Sequence, residues 1–152
     1  PAAMRALAAA HISYRGWLPN FEVPRAFASH RVTIHVPRRP YVNALPGIPT
    51  IRVFEALACG IPLITSPWSD SEGLFCPGQD FLIARTGAHM RALLVDVLAD
   101  RQLAHSLAAH GLRTIASRHT CAHRVSELLT IASTLGVDTS PDHPAAELPG
   151  AC

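Results

Sequence analysis

The sequence predicts an α/β fold, a Rossmann-like parallel sheet flanked by helices, with further helices at its C-terminal end. Short β-branched or apolar runs at 32–36, 61–65 and 81–84 alternate with stretches of helical spacing. Strands separated by helices of this length pair in parallel, because a parallel crossover needs an intervening helix. With 152 residues, 49% of them hydrophobic, the chain can bury one sizeable core, so one domain over 1–135 is expected.

Taken in order, 1–10 has the alanine-rich pattern of a helix tail, and His11-Ile12-Ser13-Tyr14-Arg15 alternates like a short strand before Gly16 and Pro19 break it. Asn20 is placed to cap a helix over 22–29, and the run from Val32 to Val36 is a strand stopped by Pro37. Four prolines and Gly47 make 37–49 a loop. Thr50 is an N-cap for a helix through Ala58, which Gly60 terminates. After the strand 61–65 comes a second loop, 66–80, rich in Pro, Gly, Ser and Asp, and then the strand 81–84. Helical spacing returns over 88–98, 101–117 and 121–135, and 136–152 has the composition of a disordered tail. Pro1 opens inside a helical pattern, without an initiator methionine or signal peptide, so the chain reads as a piece of something longer.

Composition excludes several classes. Thirteen basic residues against eleven acidic ones, a net charge of +2 and no charge run argue against a nucleic-acid arm. Every basic residue is arginine, which removes chemistry resting on a lysine, such as a P-loop or a Schiff base. No apolar stretch approaches the roughly 18 residues of a transmembrane segment. The four cysteines form no C-x-x-C pair and are too sparse for a disulfide scaffold. A reducing, cytoplasmic setting is expected.

Folds of this class bind ligands outside the C-terminal ends of their strands, here the loops after Arg15, Val36, Thr65 and Ala84. The approach Pro46-Gly47-Ile48-Pro49-Thr50 aims the amides and positive end of the next helix into that crevice, which suits a phosphate. Ile51 and Arg52 lie in its first turn, and Arg52 adds charge there. Glu55, one turn deeper, can accept from a diol such as a ribose. Arg38 and Arg39 are secondary phosphate candidates on the preceding loop. Each has an ordinary alternative: a helix-favouring Glu55, solvated arginines, a plain cap at Thr50. Trp17 can serve as packing or as a base-stacking platform, and Asp70-Ser71-Glu72-Gly73 as a sugar contact or a plain turn. Cys59 reads as a packed small residue. His119 and His123 have the spacing of a metal pair but no third ligand nearby, and no metal is expected.

The block Arg52-Val53-Phe54-Glu55-Ala56-Leu57-Ala58-Cys59-Gly60-Ile61-Pro62-Leu63-Ile64-Thr65 resembles the nucleotide-binding signature of the C-terminal domain of GT-B glycosyltransferases, in particular the CgeB-like, group 1 transferases. Gly16-Trp17-Leu18-Pro19-Asn20, Pro37, the run from Leu74 to Asp80, and Arg118-His119-Thr120 through Arg124 are similar to that subgroup too, so the likeness spans about 11–135. It implies that Glu55 binds the ribose of a nucleotide-diphosphate sugar, that the helix start faces its phosphates, and that Gly16 and Trp17 lie beside the base. It implies no cofactor, a metal-independent hexosyl transfer to an unspecified acceptor, and a partner N-terminal domain of the same chain, without which this part is inactive. Many retaining relatives carry a second glutamate eight residues before the first; that position here is Gly47. A non-catalytic α/β binding or assembly module and a GT-B-fold nucleotide-sugar epimerase are the alternatives.

Overall fold

The structure, a computed structural model, describes residues 2–139. Three strands, β1 (Thr33–His35), β2 (Leu63–Thr65) and β3 (Leu82–Ile83), form one parallel sheet in the order β1-β2-β3. Thr33 pairs with Leu63, Ile34 with Ile64 and His35 with Thr65, while Ile64 pairs with Leu82. Seven helices accompany them among the described residues: α1 (Ala2–Ala9), α2 (Val23–Ala28), α3 (Arg39–Ala44), α4 (Ile51–Ala58), α5 (Gly87–Ala99), α6 (Arg101–Arg118) and α7 (Cys121–Thr134). The predicted α/β class with C-terminal helices is therefore what the chain adopts.

β2 is covered on both faces and divides the core in two, while Ile34 of the edge strand β1 is 51% exposed. Leu63 joins Val53, Ala56 and Leu57 of α4 with Phe75 and Phe81, while Ile64 joins Ala84, Val97 of α5 and Leu107 of α6. Adjacent residues of a strand point to opposite faces, so a continuous apolar run is what a strand buried on both sides requires. All three β2 residues are buried.

Four expectations are corrected. The segment 11–15 is not a strand: His11 (φ 54°) is spent on ending α1, where the Ile12 N–H donates to the Leu7 carbonyl at 2.8 Å, and no ladder continues from it. Asn20 begins a 3-10 turn, Asn20–Glu22, rather than capping a helix, and α2 follows without a side-chain cap bond. The loop 37–49 contains α3, with Pro40 in the first turn where its missing N–H costs nothing. Cys59 is exposed rather than packed. The predicted tail 136–152 lies outside the described residues from 140 onward, and Gly136 (φ 79°) closes α7.

α4 stops where predicted. Gly60 (φ 63°) lets its own N–H donate to the Leu57 carbonyl and the Ile61 N–H to the Ala56 carbonyl, turning the chain directly into β2. The loop from β2 to β3 is held by carboxylates. Asp70 accepts from the amides of Leu74 and Phe75, and the fully buried Asp80 accepts from the Cys76 amide, His110 Nδ1 and the Thr114 hydroxyl.

Candidate functional site

The C-terminal end of β1 opens on a cleft of about 360 Å3 lined by His35, Pro37, Arg38, Tyr41, Thr50 and Arg52. Beneath it, Trp68, Val53 and Pro49 help close a pocket of about 10 Å3, room for about one water. The cleft is the crevice expected of a parallel sheet, and α3 and α4 form its walls.

α4 begins there. Thr50 occupies the N-cap position but makes no side-chain cap bond; its hydroxyl instead meets His35 Nε2 at 2.8 Å. The Val53 N–H turns back to the Thr50 carbonyl, while the amides of Ile51 and Arg52 have no protein acceptor among the described residues. Arg52 Nη1 lies 2.7 Å from Glu55 Oε2, an ion pair one helical turn long. That carboxylate oxygen is buried, and the Arg52 guanidinium is its charge partner. Glu55 also faces Cys59, an exposed residue whose thiol is partly desolvated, and that partial burial together with the carboxylate raises the thiol above its ordinary pKa.

His35 was read only as part of a strand. As the last residue of β1 it reaches Thr65 Oγ1 through Nδ1 (3.3 Å) and Thr50 through Nε2, and burial together with the nearby Arg52 holds its imidazole below the ordinary histidine pKa. Its sequence signal was its place, the last residue of a strand entering the ligand crevice. Tyr41 was missed because α3 was.

The structure brings Thr50, Arg52, Arg38 and Pro49 to this cleft and its underlying pocket. Ile51 is on the same turn with its side chain 68% exposed, and Arg39 opens α3. Glu55 does not line the cleft and reaches it through Arg52. Gly16 and Trp17 do not line it either. Trp17 is 84% exposed, so it provides no packing surface, and Gly16 (φ 70°) turns the chain in open space. Asp70 makes a plain turn through its two backbone acceptances. His119 Nε2 donates to the Leu74 carbonyl and Arg118 to the Gly73 carbonyl, while His123 Nδ1 receives the Thr120 amide in a capping box. His119 and Arg118 thus brace the α6–α7 corner against the loop before Phe75, and His123 serves the cap of α7; no group of three metal-ligating side chains occurs among the described residues.

The model of a family described as glycosyl transferase-like matches residues 4–130. The chain belongs to that glycosyl transferase-like family. No curated protein matches it. The match takes in the three strands, the cleft and most of α7, so the resemblance carried by the block from Arg52 to Thr65 agrees with a match over the whole sheet. Membership supports glycosyl transfer as the general activity, with a sugar donor and an acceptor. Among the described residues of this glycosyl transferase-like chain, no helix is long and apolar enough to cross a membrane.

Proposed function

We propose that this chain is the donor-binding domain of a GT-B glycosyltransferase of the CgeB-like, group 1 type, holding a nucleotide-diphosphate sugar whose hexosyl group passes to an acceptor. The observation that carries the reading is the cleft itself: free first-turn amides of α4, flanked by Arg38 and Arg52, at the C-terminal end of a parallel sheet. Arginine guanidinium and helix amides are suited to the phosphate oxygens and stabilise the diphosphate as it gains charge on leaving, the task a divalent ion performs elsewhere. Glu55, paired with Arg52 at 2.7 Å and set behind it, is the residue that the resemblance assigns to the ribose hydroxyls. The acceptor site and any general base belong to an N-terminal domain of the same protein, so this chain alone transfers no sugar, and the enzyme works in the cytoplasm.

One observation favours the non-catalytic alternative. A Cβ at Gly47 would lie 2.9 Å from Ser71 Oγ and 3.4 Å from the Ser69 carbonyl, so the place of the second glutamate of retaining relatives is packed against the β2–β3 loop. In the enzyme reading, the donor sugar is held without that carboxylate.

Calorimetric titration with UDP, GDP and dTDP, run beside Glu55→Ala, tests the reading. The expected result is binding of one nucleotide, weakened by the substitution by about 1–3 kcal/mol. Binding of none by the chain and by a version extended toward its N-terminal side favours the non-catalytic module.

A further inference from the structure

Thr50 stands where a threonine ordinarily closes a helix, and it does not do so. The same residue type in the same position does close α5 and α7: Thr86 accepts from the His89 amide and Thr120 from the His123 amide, while Asp100 caps α6 through Gln102 and Leu103. The difference at α4 is His35. Thr65 Oγ1 gives its proton to the Ser66 carbonyl at 3.1 Å, so toward His35 Nδ1 it is an acceptor, and Nδ1 carries the proton. A neutral ring protonated at Nδ1 has a bare Nε2, which accepts the Thr50 hydroxyl proton at 2.8 Å. The hydroxyl is thereby turned from α4 toward β1. Burial and the adjacent Arg52 disfavour the imidazolium, in keeping with a neutral ring.

We propose that His35 is a positioning residue of the donor cleft: by holding the Thr50 hydroxyl it keeps the capping oxygen off α4, so that the Ile51 and Arg52 amides, beside the Arg38 and Arg52 guanidinium groups, stay open to the diphosphate of the donor. The inference rests on the donor-site reading for its ligand. A Thr50 oxygen returned to the Arg52 or Val53 amide would occupy the place of a phosphate oxygen, stabilising the helix and weakening the ligand together. An ordinary packing role for His35 makes the opposite association, loss of stability with loss of binding.

The test uses three forms of the full chain: wild type, His35→Phe, and His35→Phe with Thr50→Val, which has no hydroxyl to return. Amide hydrogen exchange at Arg52 and Val53 is expected to slow about fivefold in His35→Phe, the equilibrium factor of one cap bond, and to speed up again in the double variant. Affinity for UDP, GDP or dTDP, whichever the wild type binds, is expected to fall about fivefold in the single variant and to recover in part in the double one. Unchanged exchange in the single variant overturns the proposal, as does a double variant that binds no better than the single. A wild type that binds no nucleotide sinks the donor-site reading, while the exchange measurement still decides the role of His35. Should His35→Phe not fold, nitrogen chemical shifts of the wild-type imidazole decide: a proton on Nδ1 with a bare Nε2 at neutral pH supports the proposal, and a proton on Nε2 overturns it.

Discussion

At the residue scale, two side chains at opposite ends of α4 report on their neighbours by titration. His35 has its pKa lowered from 6.5 by burial and by Arg52, so the folded state resists a proton that the unfolded chain accepts. Stability from this group is complete above pH 6.5 and declines as pH falls below it, because the unfolded state then binds more protons. Thermal melts between pH 7.5 and 5 should show a fall in Tm for the wild type that is shallower in His35→Gln; parallel curves would refute the assignment. Cys59 is the second reporter. Its thiol is raised by burial and by the Glu55 carboxylate, so Glu55→Gln should speed alkylation of Cys59 by iodoacetamide at pH 8, with the exposed Cys121 as the internal comparison. That Thr50 and Arg52 stand at the start of a helix was legible, because they fall in one block with an N-cap residue type, a first-turn charge and a glycine stop. His35 was not, since nothing in a β-branched run says which of two threonines far along the chain its ring will meet.

At the element scale, the joint between α4 and α6 has little tolerance. A Cβ at Gly111 would meet Leu57 Cδ2 at 2.7 Å and the Asp80 carbonyl at 3.2 Å. Gly111→Ala should therefore cost about 1–3 kcal/mol, the usual penalty of overpacking a core, read as a shift in urea midpoint. Gly60→Ala forces a Cβ into the left-handed conformation and should cost about 1–2 kcal/mol, with room around it and no clash to add. Elements whose signal is local, such as α4 with its stop, α5, α6, α7 and the three apolar strands, were readable to within a few residues. The segment 11–15 shows the limit: its alternation is that of a strand, but a strand exists only where a neighbour takes its hydrogen bonds, and His11 and Ile12 are already committed to the end of α1. α3 was hidden for the reverse reason, six helical residues lying between prolines that read as loop.

At the scale of the whole molecule, the β2–β3 loop is tied to the last two helices by polar bonds rather than by apolar burial alone. Asp80 collects three donors from the loop and from α6, and Arg118 and His119 hold the carbonyls of Gly73 and Leu74. Asp80→Ala should orphan those donors at about 1–3 kcal/mol for each that finds no water and loosen the α6 contact, visible as faster amide exchange at Cys76 and lower Tm. Asp80→Leu, which also lacks the carboxylate, should fare no better. The fold class, the crevice side of the sheet, the position of the helix start and the family likeness could all be read along the chain, because periodicity, capping residues and turn residues act over a few positions. Which loop residues line the cleft, that Trp17 stands apart from it, that Gly47 is packed against Ser71, and that Thr50 bonds His35 instead of its own helix could not. Those outcomes depend on contacts between segments 15 or more residues apart, where competing partners for one polar group are brought within reach only once the sheet and helices have packed.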